Sequence, residues 1–128
     1  MAAVVRYEST VTGVGELAGE FFAEGIIVLF GADAPEELHE VAVVHDPTVT
    51  DGGVTTGDSI LLGDEQLVVT AVGPVANENL MNLGHLVIKR NGNDAPAQPG
   101  DVCCDEGIIP RLDVGDRIRI EGSSGEAT

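Results

Sequence analysis

The chain has 128 residues (13.2 kDa), is 43% hydrophobic, and has only 3% aromatic residues and no tryptophan. One domain around an aliphatic core is therefore expected, large enough to fold without a disulfide or a metal. Acidic residues outnumber basic ones 22 to 6, giving a net charge of -16 and a sequence pI near 4.1. This balance argues against nucleic acid and anionic membrane surfaces as partners, because both are bound through Lys and Arg. No run approaches the ~20 apolar residues of a membrane span. The opening MAAVVRYE has no secretory pattern, so a cytoplasmic protein without direct membrane insertion is expected.

Seventeen glycines and six prolines cut the chain into short pieces. Val4, Tyr7, Ser9 and Val11 fall in a first strand of about eight residues, closed by Gly13 and Gly15. Residues 17–23 allow one or two helical turns, and residues 26–30 form a continuous apolar run that reads as a buried strand. Pro35 followed by Glu36 and Glu37 suits a short helix start. Residues 41–45 read as the next strand, ending at His45 where Asp46-Pro47 should turn the chain.

Gly-Asp then recurs ahead of three apolar runs, at Gly57-Asp58, Gly100-Asp101 and Gly115-Asp116, each a tight turn feeding a strand. Gly63-Asp64-Glu65 reads as a hairpin that brings Leu61 close to Val68. Residues 76–83 are the best helix candidate, with Gly84 as its stop and His85 opening the strand 86–88. Asn91-Gly92 signals a further turn, and GSSGEAT reads as a tail. Many short strands with few helices predict an all-β fold: a small closed or nearly closed, antiparallel-rich barrel with one or two short helices. The domain is expected over residues 1–122, with a disordered tail at 123–128.

No G-x-S-x-G elbow, P-loop or G-x-G-x-x-G after a strand is present. The adjacent Cys103 and Cys104 suit neither a disulfide nor a zinc spacing and read as reduced thiols in a strand. His39, between Glu37 and Glu40, reads as a solvated residue. His45 and His85 remain, each expected at a strand end and able to face one another across one site. A neutral imidazole can accept a phosphoryl group, whereas a metal site would need further ligands. From spacing alone, packing, nucleophilic and metal-binding roles all stay open for the two histidines, and no cofactor is expected.

Three stretches carry a resemblance: IIVLFGADAPEELHEVAVVHDP, GDSILLGDEQLVVTAVGPVANENLMNLGHLVIKRNG and DVGDRIRI. With them the chain resembles the glucitol/sorbitol-specific IIA component of the bacterial phosphotransferase system. The resemblance implies a small β-barrel that carries a phosphoryl group from the histidine-containing phosphocarrier protein HPr to a IIB domain of a hexitol transporter. It puts the phosphorylated histidine at His45 and gives His85 a supporting role. It carries nothing over to Cys103 and Cys104, whose surroundings depart from the family pattern. Set against transport is a regulatory or binding barrel that keeps the scaffold without moving sugar.

Overall fold

A computed structural model describes residues 3–123. Its strands are β1 (Ala3–Val14), β2 (Ile26–Phe30), β3 (Ala42–Thr50), β4 (Ser59–Leu62), β5 (Glu65–Val72), β6 (Leu86–Lys89), β7 (Asp101–Cys104) and β8 (Arg117–Ser123). Helix α1 (Ala18–Ala23) joins β1 to β2, α2 (Ala76–Leu83) joins β5 to β6, and a 3-10 turn at Glu36–Leu38 lies between β2 and β3. The strands close into a barrel in the order β1-β3-β2-β6-β7-β5-β4-β8. Neighbours are antiparallel except β2 with β3 and β6 with β7. Closure leaves no free sheet edge in an acidic chain that would otherwise expose long unpaired strands. Of the expected tail, Ser123 closes β8 and the remaining residues lie outside those described.

In four of the strands the interior is built by alternation, whereas β7 is buried at every position. Leu67, Val69 and Ala71 of β5, Ile60 and Leu62 of β4, Ile118 and Ile120 of β8, and Leu86 and Ile88 of β6 are all buried, while their neighbours face outward. With so few aromatics, aliphatic side chains fill this core, and each fully buried Leu or Ile contributes about 1.5–3 kcal/mol. Cys103 and Cys104 are both buried free thiols of β7, and burial pushes the Cys104 thiol up to about 12.

Two strand expectations are corrected. Strand β3 does not stop at His45 but continues through Asp46-Pro47 to Thr50. Proline removes a ladder donor and is tolerated where pairing is irregular. Here the β1–β3 register slips, from Glu8 opposite Val49 to Ser9 opposite Pro47, leaving Thr48 as the extra residue of a bulge. The β4–β5 hairpin pairs Leu62 with Glu65 across a two-residue turn, so Leu61 faces Gln66, and Val68 faces Ser59. Gly63, at φ +61°, supplies the positive dihedral that so tight a turn needs.

The three Gly-Asp phrases prove to be one device used three times. Asp58, Asp101 and Asp116 each accept the backbone N–H of the residue three positions earlier, at 2.8, 3.1 and 2.8 Å. Each also donates its own N–H to that residue's carbonyl, in every case at 3.1 Å. Asp101 is buried and pairs with Lys89 at 2.8 Å, whereas Asp116 is only partly covered. Asp101→Ala therefore leaves a backbone N–H and an ammonium without their carboxylate, and is expected to cost about 2–3 kcal/mol. Asp116→Ala is expected to cost about 1 kcal/mol. Urea unfolding of the two variants checks the order, and equal losses would contradict it.

Candidate functional site

Strand β1 points Tyr7, Ser9 and Val11 into the barrel, and β3 points Val43 and His45 in beside them. Ser9 and His45 are both fully buried, in a largely aliphatic interior that also holds the Tyr7 hydroxyl. Asp58 and Asp101, the other buried polar side chains among those described, are occupied in their turns. Two polar groups in this wall must therefore satisfy each other, and they do. The Ser9 hydroxyl meets His45 Nδ1, and the Gly84 carbonyl lies 2.7 Å from His45 Nε2.

A carbonyl oxygen can only accept, so Nε2 carries the ring proton and donates it to Gly84. Nδ1 is then the unprotonated nitrogen and accepts from the Ser9 O–H. Burial holds the imidazole pKa below its usual 6.5, against smaller opposing contributions from the Gly84 bond and the Asp46 charge. Asp46 itself lies exposed on the outer face of β3 opposite Thr10, so it caps no turn.

Gly84 reaches the ring because of how α2 ends. It caps the helix at φ +64°, with its N–H bonded to the Leu80 carbonyl at 3.0 Å. Gly31, just after β2, donates to Leu83 O at 2.9 Å and packs against the same cap. A Cβ on Gly84 would stand 2.9 Å from Gly31 N and 3.3 Å from His45 Nε2. Glycine at this position thus serves both the left-handed cap and the close approach to the imidazole.

A cavity of about 470 Å³ opens between the end of β2 and the end of α2. Tyr7, Phe30, Pro47, Leu83 and Gly84 line it, and His45 itself does not. Tyr7 is 1% exposed, stands edge-on to the His45 ring with centroids 6.2 Å apart, and has a hydroxyl with no hydrogen-bond partner. Its phenol is pushed up to about 12 by burial, so it remains a donor throughout the physiological range.

The expected histidine positions need correction. His45 lies not at an open rim but in mid-strand and sealed, because β3 runs on past Pro47. The two rings do not face each other, and among the described residues no hydrogen bond or ring contact joins them. His85 stacks on Phe30 at 4.0 Å and donates from Nδ1 to Leu29 O at 3.1 Å, half-buried on the far side of the Gly84 peptide. His39 is exposed, as expected, and donates to Ala34 O at 3.0 Å.

Lys89 and Arg90 are committed to Asp101, Glu65 and Asp105. Asn77 brackets both backbone groups of Val54. Among the described residues no three His, Cys, Asp or Glu side chains gather as metal ligands. Sequence reasoning missed Tyr7, Ser9 and Gly84 as site residues. The signal for Ser9 was its parity, since a polar residue between Tyr7 and Val11 on the inward row requires a buried partner.

A buried neutral imidazole has a consequence for stability. Above pH 6.5 the ring is neutral whether the chain is folded or unfolded, and it contributes no pH dependence. Below 6.5 the unfolded ring takes up a proton before the folded one does, so stability falls with falling pH until the depressed folded pKa is passed. Between pH 7.5 and 5.5 the melting temperature of the wild type should drop relative to that of His45→Gln, which cancels the contribution of the shared carboxylates. A constant difference between the two would contradict the buried neutral ring.

Known proteins resemble this chain over almost the whole barrel. The family profile described as "PTS system glucitol/sorbitol-specific IIA component" matches residues 6–119, a span that holds Tyr7, Ser9, His45, Gly84 and His85. The PTS system glucitol/sorbitol-specific EIIA components of Shigella flexneri and Escherichia coli (strain K12) are each 33% identical over 98 residues, 77% of this chain and 80% of theirs. The crystal structure of a PTS system IIA component from Enterococcus faecalis V583 matches with a TM-score of 0.74 and 28% identity, covering 87% of this chain and 96% of that one. The chain belongs to the family of glucitol/sorbitol-specific IIA components, the phosphoryl carriers of the phosphotransferase system.

Proposed function

We propose that this phosphoryl carrier holds its phosphoryl group on Nε2 of His45, taking it from HPr and passing it to a glucitol/sorbitol-type IIB domain. The observation that supports His45 is its setting: an imidazole kept neutral by burial, gripped at Nδ1 by Ser9, with Nε2 bonded to the carbonyl of Gly84, a residue that lines the cavity. Phosphoryl transfer asks a protein chiefly for a positioned nucleophile and for stabilisation of spread negative charge. A neutral ring supplies the lone pair, and the barrel wall supplies the position.

At rest the Nε2 lone pair is tied up by its proton. Moving that proton to Nδ1 reverses the Ser9 contact, so that Nδ1–H donates and the hydroxyl accepts, a change serine makes by rotating one bond. The bare Nε2 then faces the Gly84 carbonyl lone pairs, and the repulsion drives that carbonyl aside. Gly84 is the residue type best able to absorb the dihedral change. In the transfer the Nε2–P bond forms as the donor's N–P bond breaks. The donor nitrogen keeps the electron pair of the broken bond, and the proton on Nδ1 stays where it is. Passing the group to IIB repeats the exchange, with His45 as the leaving group.

A second reading has its own observation. His85 holds Nδ1–H on the Leu29 carbonyl, which leaves its Nε2 lone pair without a hydrogen-bond partner among the described residues, on a side chain that is only partly buried. His85 would then be the carrier and His45 a buried polar strut. In the leading reading His85 plays the supporting part, anchoring the far side of the Gly84 peptide.

Incubation of the wild type with phosphoenolpyruvate, enzyme I and HPr should add one phosphoryl group, labile in acid and stable in alkali, mapped to His45 by mass spectrometry. His45→Gln should remove the label, and His85→Gln should keep it at reduced rate. Label retained by His45→Gln and lost in His85→Gln would transfer the role to His85.

A further inference from the structure

We infer that the Tyr7 hydroxyl is a ligand of the phosphoryl group, donating a hydrogen bond to one of its oxygens once the group stands on His45. This rests on the reading of His45 as carrier.

Three observations converge. The hydroxyl is the one buried side-chain polar atom among the described residues that lacks a partner. Leaving such a group unpaired costs stability, and native structures keep few without a functional reason. Secondly, Tyr7 and Gly84 line the same cavity, and Gly84 is the residue whose carbonyl lies on His45 Nε2. Thirdly, the phenol ring stands edge-on to the imidazole in the adjoining strand, with centroids 6.2 Å apart.

When the Gly84 carbonyl moves off Nε2, the phosphorus takes its place, and the phosphoryl oxygens need donors. The cavity wall holds Thr50 and Asn82 as further side-chain donors and Asp33 as a carboxylate, but Tyr7 has the donor that is buried and unpartnered, and no cation lines the cavity. Lys89, Arg90, Arg117 and Arg119 are paired with Asp101, Glu65, Asp105, Glu8 and Glu121, and none of the four lines the cavity. A phenol held protonated by burial donates without giving up its proton, so nothing is transferred to or from Tyr7 during the step. Its donor contributes only when the anion is present, and that differential contact is what accelerates a reaction.

Tyr7→Phe removes only this oxygen. Because the hydroxyl has no partner at rest, the unphosphorylated variant should melt at or above the wild-type temperature, which a structural hydroxyl would not permit. Phosphorylation is then driven by phosphoramidate, a small donor that bypasses protein docking. The variant should label about 10- to 100-fold more slowly than wild type, the loss typical of one donor to a developing anion. Its phosphohistidine 31P resonance should also shift. Wild type labelled on His45, with Tyr7→Phe equal in rate and in 31P shift, would overturn the role of Tyr7 alone. Wild type labelled elsewhere than His45, or not at all, would overturn the carrier assignment and the role of Tyr7 together.

Discussion

The site depends on one constraint: a buried imidazole must have both ring nitrogens satisfied, and among the described residues Ser9 and Gly84 do so. Ser9 can serve as donor or acceptor, whereas the Gly84 carbonyl can only accept. This asymmetry fixes the resting tautomer, and in the proposed transfer the Gly84 side is the one that yields. Three elements, β1, β3 and α2, converge to meet it. Strand β1 brings Ser9, the bulged β3 brings His45, and the left-handed cap of α2 brings Gly84.

Closure and reactivity stand in tension here. A sealed, desolvated ring is held neutral, which leaves it a lone pair to react with, yet its Nε2 is covered by the Gly84 carbonyl. Glycines on both sides of the contact, Gly31 and Gly84, pack backbone against backbone with no side chain to hold the cover rigidly. Both glycines also line the cavity between β2 and α2. One family profile covers nearly the whole chain, so the barrel and this arrangement lie within the matched span.

Much of the fold was legible in the sequence where a local signal was strong. The apolar run 26–30 and the helix 76–83 with its glycine stop lie where their patterns put them, because periodicity and capping act over a few residues. The first half of β3 was legible as the run 41–45, but its continuation past His45 was not, since proline reads as a breaker and only the register slip against β1 makes room for it. The strand order around the barrel was also hidden: the parallel pairs β2 with β3 and β6 with β7 join residues no local rule connects. Of the site, His45 was named from the sequence, but its burial was not. Tyr7 and Ser9 were visible only as alternating positions in a first strand, and Gly84 only as a helix stop.

The central claim is that the His45 ring rests as the Nε2–H tautomer and reacts on that same nitrogen after its proton moves to Nδ1. Long-range 1H–15N correlation NMR of the imidazole, recorded before and after phosphorylation, tests this directly. The account predicts a protonated Nε2 and a bare Nδ1 at rest, then phosphorus coupling on Nε2 with the proton on Nδ1. A resting ring with a bare Nε2, or phosphorus coupled to Nδ1, would contradict it.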